Sequence, residues 1–94
     1  MSDYQRYTAD SIREVLRKAE EVMTERGGLE RVGESHGSVT YSGGEGTLIL
    51  EAHRHGPQTE VVIRTDQLRT SKLDNVARYL LNQLPYQPDD PPRE

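Results

Sequence analysis

Between Thr8 and Arg26 the apolar residues Ile12, Val15, Leu16, Ala19, Val22 and Met23 recur at intervals of three and four, which places them on one stripe of an α-helix. Ser11 followed by Glu14 reads as a capping box, with Thr8 as a competing cap, and Gly27-Gly28 supplies the left-handed stop. On the outward face, Glu14 with Lys18 and Arg17 with Glu21 stand four residues apart, a spacing that favours ion pairs. After Gly28 the period falls to two. Val39 and Tyr41, then Leu48, Leu50 and Ala52, then Val61 and Ile63 alternate with their neighbours and predict three strands. The stretch from Leu29 to Ser35 does not alternate cleanly and reads as strand or loop, with Gly33 as a candidate bulge position. A second helix is expected from about Ser71 to Leu84, carrying Leu73, Val76, Ala77, Leu80, Leu81 and Leu84 on one stripe, capped by Thr70 or Ser71 and closed by Pro85.

The glycine-rich stretch Gly43 to Gly46 and the pair Gly56-Pro57 are short enough to make the three strands consecutive antiparallel hairpins. The fold class that follows is α+β, a two-layer sandwich in the order helix, three-stranded meander, helix (αβββα). Residues 8–86 form its single domain, residues 1–7 a flexible N-terminus, and residues 87–94, which lack apolar side chains, a disordered Pro-rich and acidic tail. Hairpin geometry also fixes the register. Tyr41 faces Leu48, Val39 faces Leu50, Gly37 faces Ala52, Ala52 faces Val61 and Leu50 faces Ile63, all beneath the helices. The opposite face then presents three rows: Thr40, Ile49, Arg64; Ser38, Glu51, Val62; and His36, His53, Glu60.

Composition narrows the function classes. Twelve Lys and Arg against sixteen Asp and Glu give a net charge of −4, which disfavours a strong polyanion binder. The absence of Cys removes disulfides, thiolate metal sites and cysteine nucleophiles, and fits a reducing compartment. The start of the chain lacks the basic and then apolar pattern of an export signal, and apolar runs such as Leu48-Ile49-Leu50 are far too short to span a bilayer, so a cytoplasmic protein without a membrane partner is expected.

Several residues invite chemistry. His36, His53, His55 and Glu60 share the uncovered face in a grouping that is able to chelate a divalent metal, although pairing of His53 with Glu60 is the simpler expectation. Gly33-Glu34-Ser35-His36-Gly37 matches the five-residue pattern of a hydrolase nucleophile elbow, which extends the same site to Ser35, but the motif leads into a strand where the elbow needs a helix. Gly43 to Gly46 lacks the Lys-Ser or Lys-Thr of a phosphate loop. Arg64, Arg69, Lys72 and Arg78 form a weak basic surface, the candidate contact for RNA or another nucleic acid. The helix, three-strand, helix order, with Ser71-Lys72 opening the last helix, resembles double-stranded RNA-binding domains, a resemblance that implies an RNA contact at Lys72. It extends no further than topology and those two residues, because Asp74 and Asn75 follow Lys72 where that family carries further lysines.

No coherent catalytic set emerges and no cofactor is implied, so the expectation is a non-enzymatic module that associates with itself or with another protein. Its interface would be Thr40, Ile49, Glu51, Val62 and Arg64 on the uncovered face, where Ile49 and Val62 interrupt the polarity, or an unpaired edge at the first or third strand. A homodimer is the leading expectation; RNA binding and a metal or hydrolase site are the alternatives.

Overall fold

The computed structural model describes residues 2–66 and 71–85 of the chain. Within them the order is β1 (Ser2–Thr8), α1 (Ile12–Glu25), β2 (Glu30–Ser35), β3 (Ser38–Gly43), β4 (Gly46–His55), β5 (Gln58–Thr65) and α2 (Lys72–Asn82). The α+β class and the meander are as expected, but the expected order αβββα is incomplete. Two further strands make a five-stranded antiparallel sheet in the order β1-β5-β4-β3-β2, so the chain reads βαββββα. The likeness in element order to double-stranded RNA-binding domains therefore goes. The two edge strands are β1 and β2; the strands around Val39 and Val61, expected at the edges, are both internal.

The expected register holds at every apolar pair. Tyr41 opposes Leu48, Val39 opposes Leu50, Leu50 opposes Ile63 and Ala52 opposes Val61. Gly37 meets Ala52 as expected, its carbonyl accepting from the Ala52 amide at 2.7 Å. With Leu29, these side chains are buried against Val15, Ala19, Val22 and Met23 of α1 and Leu73, Val76, Ala77, Leu80 and Leu81 of α2, forming one core between the sheet and two helices. The period of two in the strands and of 3.6 in the helices brings both stripes to the same layer.

The flexible start expected over residues 1–7 gives way to a strand: Ser2–Thr8 forms β1, paired along its length with β5. Its inward positions are Tyr4, Arg6 and Thr8, none aliphatic, so the usual alternation is absent. These side chains sit at the rim of the core, and Arg6 and Thr8 spend their polar ends on the segment that closes α2. Arg6 donates to the Leu81 carbonyl at 2.7 Å, Thr8 Oγ1 donates to the Pro85 carbonyl at 2.6 Å, and the Ala9 amide meets the same carbonyl. The Leu81 carbonyl in the last turn of α2 and the Pro85 carbonyl just past it thus gain partners from a neighbouring strand.

Lys18 adds to this closure. The pair expected with Glu14 does not form; Lys18 Nζ lies 2.6 Å from Asp10 and donates to the Gln83 carbonyl at 3.2 Å. Arg17 takes Glu14 instead, at 3.0 Å, and reaches Glu21 at 4.0 Å. Ser11 is the N-cap of α1 and Ser71 that of α2, each accepting from the amide three residues on. After Arg26 the Gly27 amide returns to the Val22 carbonyl and the Leu29 amide to that of Met23, with Gly28 at φ 62°, which is the glycine stop expected there. The Arg26 guanidinium lies 3.7 Å from the Tyr79 ring and joins the far end of α1 to α2.

β2 resolves the ambiguous stretch as an edge strand. Its register shifts between Arg31 and Gly33, a bulge that leaves Val32 outside the ladder and, at 61% exposure, the only large apolar side chain exposed among the described residues. Arg31 and Glu34 point to the helix side, where Arg31 lies 3.8 Å from Glu20 and 3.4 Å from Glu34. The bulge and the charges blunt this edge against strand addition.

Candidate functional site

Both helices cover the same face of the sheet, and no other described element covers the opposite face. Period-two alternation sends every second residue of the five strands there. Thr40 opposes Ile49 and Ile49 opposes Arg64, while Ser38 opposes Glu51 and Glu51 opposes Val62. The five residues expected to form an interface therefore share one surface across β3, β4 and β5. The edge strand β1, which the sequence did not disclose, extends both rows: Asp3 lies beside Arg64 and Gln5 beside Val62. Tyr7 lies beside Glu60, and Glu60 beside His53.

At the centre of this face, Ile49 and Val62 are half-buried, although nothing lies over them among the described residues. They sit diagonally to one another, and the charged residues Glu51 and Arg64 occupy the other diagonal, 3.5 Å apart. The long stems of these two side chains shield part of the neighbouring apolar surface. Beside Ile49 lies an open, mostly apolar depression of about 200 Å³, lined by Thr47, Ile49, Arg64, Thr65 and Asp66.

The histidine row is only partly assembled. His53 opposes Glu60 in register, but its Nε2 lies 3.7 Å from Glu51, and Glu60 accepts from Gln5. His55 places its ring 5.1 Å from that of Tyr7. His36 leaves the row because Ser35 pairs with Ser38, so His36-Gly37 form a two-residue turn with Gly37 at φ 67°. Among the described residues no three His, Asp or Glu side chains come together to hold a metal. Ser35 ends β2 in a hairpin leading to β3, so no helix start stands behind it to supply an oxyanion hole.

The basic residues are divided between the two sides of the sheet. Arg64 projects from the uncovered face, whereas Lys72 and Arg78 belong to α2 on the covered side, and Arg78 lies 3.3 Å from Asp74. Arg69 and the expected tail, residues 87–94, lie outside the described residues. Asp74 is buried in the first turn of α2, where the helix dipole favours its charge, and one of its carboxylate oxygens has no hydrogen-bond partner. No described helix is long and apolar enough to cross a membrane. Comparison with protein-family models, curated proteins and solved structures finds no match for this chain.

Proposed function

We propose that this protein is a non-enzymatic association module that pairs with a second copy of itself through the uncovered face of its sheet. The observation that carries this reading is the pair Ile49 and Val62, half-buried at the centre of a face that no described element covers. Five strands about 4.8 Å apart span about 24 Å, and eight residues of strand span about 26 Å, so one face offers roughly 600 Å² and two copies roughly 1,200 Å². That is the lower end of the range for specific, stable interfaces.

Ile49→Glu tests it by placing a carboxylate at the centre of the face while leaving the core untouched. Sedimentation velocity should show a dimer for the unmutated chain and a monomer for the variant, with unchanged far-UV circular dichroism. A variant that sediments as the unmutated chain does removes the reading.

A further inference from the structure

The pattern on the uncovered face is oblique to the strands. Ile49 on β4, Val62 on β5 and Tyr7 on β1 each advance by one strand and by two residues of register, because Ile49 opposes Arg64, Val62 opposes Gln5 and Glu60 opposes Tyr7. All three are half-buried. They form one diagonal apolar stripe across three adjacent strands. Glu51 and Glu60 lie on one side of the stripe, and Arg64 and Gln5 on the other. The two sides already recognise each other within the chain, where Arg64 meets Glu51 at 3.5 Å and the Gln5 amide donates to Glu60.

A face that meets its own copy does so about a two-fold axis lying in the plane between the two sheets, and the choice of axis decides which residues meet. An axis along the strand direction above β4 sets Glu51 on Glu51. An axis along the Glu51 to Arg64 diagonal sets each charge on its like. An axis along the stripe sets Ile49 on Ile49, Val62 on Val62 and Tyr7 on Tyr7, and it exchanges the flanks. Arg64 then lies over Glu51 of the second copy, and Gln5 near Glu60. Thr40 falls over the depression beside Ile49. From this self-complementarity we infer that the protein forms a face-to-face homodimer whose two-fold axis runs along Ile49, Val62 and Tyr7, with Glu51 and Arg64 fixing the alignment.

The geometry of the sheet agrees with a known packing class. A step of about 4.8 Å across strands for about 6.8 Å along them tilts the stripe about 35° from the strands, so the two sheets cross at about 70°. Orthogonal packing is one of the two recurring arrangements of sheets packed face to face. Opposite charges paired across an interface fix register and suppress other alignments more than they add affinity, and Glu51 and Arg64 take that part in this dimer.

The inference rests on the self-association proposed above, and charge exchange separates the two. Glu51→Arg alone and Arg64→Glu alone each set like charges together twice, and each should weaken the dimer Kd by about tenfold or more. Combined in one chain, the two substitutions restore opposite charges and the dimer. Mixed as separate proteins, each a weakened self-associator alone, they should form a tighter heterodimer, since positions 51 and 64 are then both basic in one chain and both acidic in the other. Pairing within one chain cannot produce that result. Sedimentation velocity on the four samples, with circular dichroism to confirm that each is folded, reads the outcome. If Ile49→Glu dissociates the dimer but neither the double variant nor the mixture recovers it, the axis is misplaced while the face remains the interface. An unmutated chain that stays monomeric at all concentrations overturns both.

Discussion

Lys18 joins three parts of the fold, and its removal can be given a magnitude. Its ammonium lies 2.6 Å from Asp10 in the connection between β1 and α1, and it donates to the Gln83 carbonyl at the C-cap of α2. Asp10 is itself fixed there, its amide donating to Thr8 Oγ1 and its carbonyl accepting from Thr59 Oγ1 at 2.7 Å. The Lys18 and Asp10 side chains are 25% and 16% exposed, which places the pair between two regimes. Exposed pairs contribute about 0.2–1 kcal/mol, whereas removing one partner of a fully buried pair costs about 3–5 kcal/mol. An intermediate value of about 2 kcal/mol, together with about 0.5 kcal/mol for the cation at the negative end of α2, gives a loss of about 2–3 kcal/mol for Lys18→Met. Methionine keeps the length of the stem, so packing changes little. In a domain of this size the loss corresponds to a fall in Tm of about 8–24 °C, readable by circular dichroism. A double-mutant cycle with Asp10→Asn should give a coupling energy of about 1–2 kcal/mol. A loss below about 0.5 kcal/mol, or additive single effects, refutes the claim that this ion pair clamps the helices to the start of the sheet.

Two further predictions concern the covered side. A Cβ on Gly37 would lie 2.7 Å from the Ala52 carbonyl oxygen in a backbone at φ +67°, whereas one on Gly56, at φ +64°, meets nothing within 4 Å. Gly56→Ala should therefore lose about 1 kcal/mol for the left-handed backbone alone and Gly37→Ala about 2–3 kcal/mol; equal losses in urea denaturation would contradict the close approach. Burial, and then the hydrogen bond to Glu20, hold the Tyr41 phenol well above the usual tyrosine range. Because the folded value is raised, the associated stability is present below about pH 10 and lost as pH rises beyond it, so the loss of about 0.5–1.5 kcal/mol on Tyr41→Phe at neutral pH should shrink in alkali. A difference between the two proteins that stays constant across about pH 8–11 would rule out that linkage.

How much of this was legible in the sequence depended on whether burial was achieved by aliphatic side chains. Val39, Tyr41, Leu48, Leu50, Val61 and Ile63 alternate over two tight turns, and a one-residue slip would turn all of them to the other face, so their pairing could be read directly. That register also placed Thr40, Ile49, Glu51, Val62 and Arg64 together. β1 escaped because Tyr4, Arg6 and Thr8, none of them aliphatic, occupy its inward positions, and the polar ends of Arg6 and Thr8 are taken up by the Leu81 and Pro85 carbonyls. With β1 went Tyr7, the third member of the apolar stripe. β2 escaped because a bulge at Val32 breaks its alternation. His36 was misplaced for a smaller reason, since the hairpin needs two residues where strict alternation counted a strand position.

The two central strands carry one more piece of information. Leu48-Ile49-Leu50 in β4 and Val61-Val62-Ile63 in β5 are unbroken apolar runs, whereas an antiparallel strand with one face in water alternates apolar with polar. Unbroken runs are the pattern of strands covered on both faces. Leu48, Leu50, Val61 and Ile63 are buried by the helices, so only Ile49 and Val62 carry the excess, and they fall next to each other where the stripe crosses the middle of the sheet. Had the chain folded merely to cover one side, Thr at these positions would have kept the strand propensity with less apolar surface. The apolar runs of β4 and β5 therefore support the proposed pairing, in which a second copy turned about the stripe would cover Ile49 and Val62.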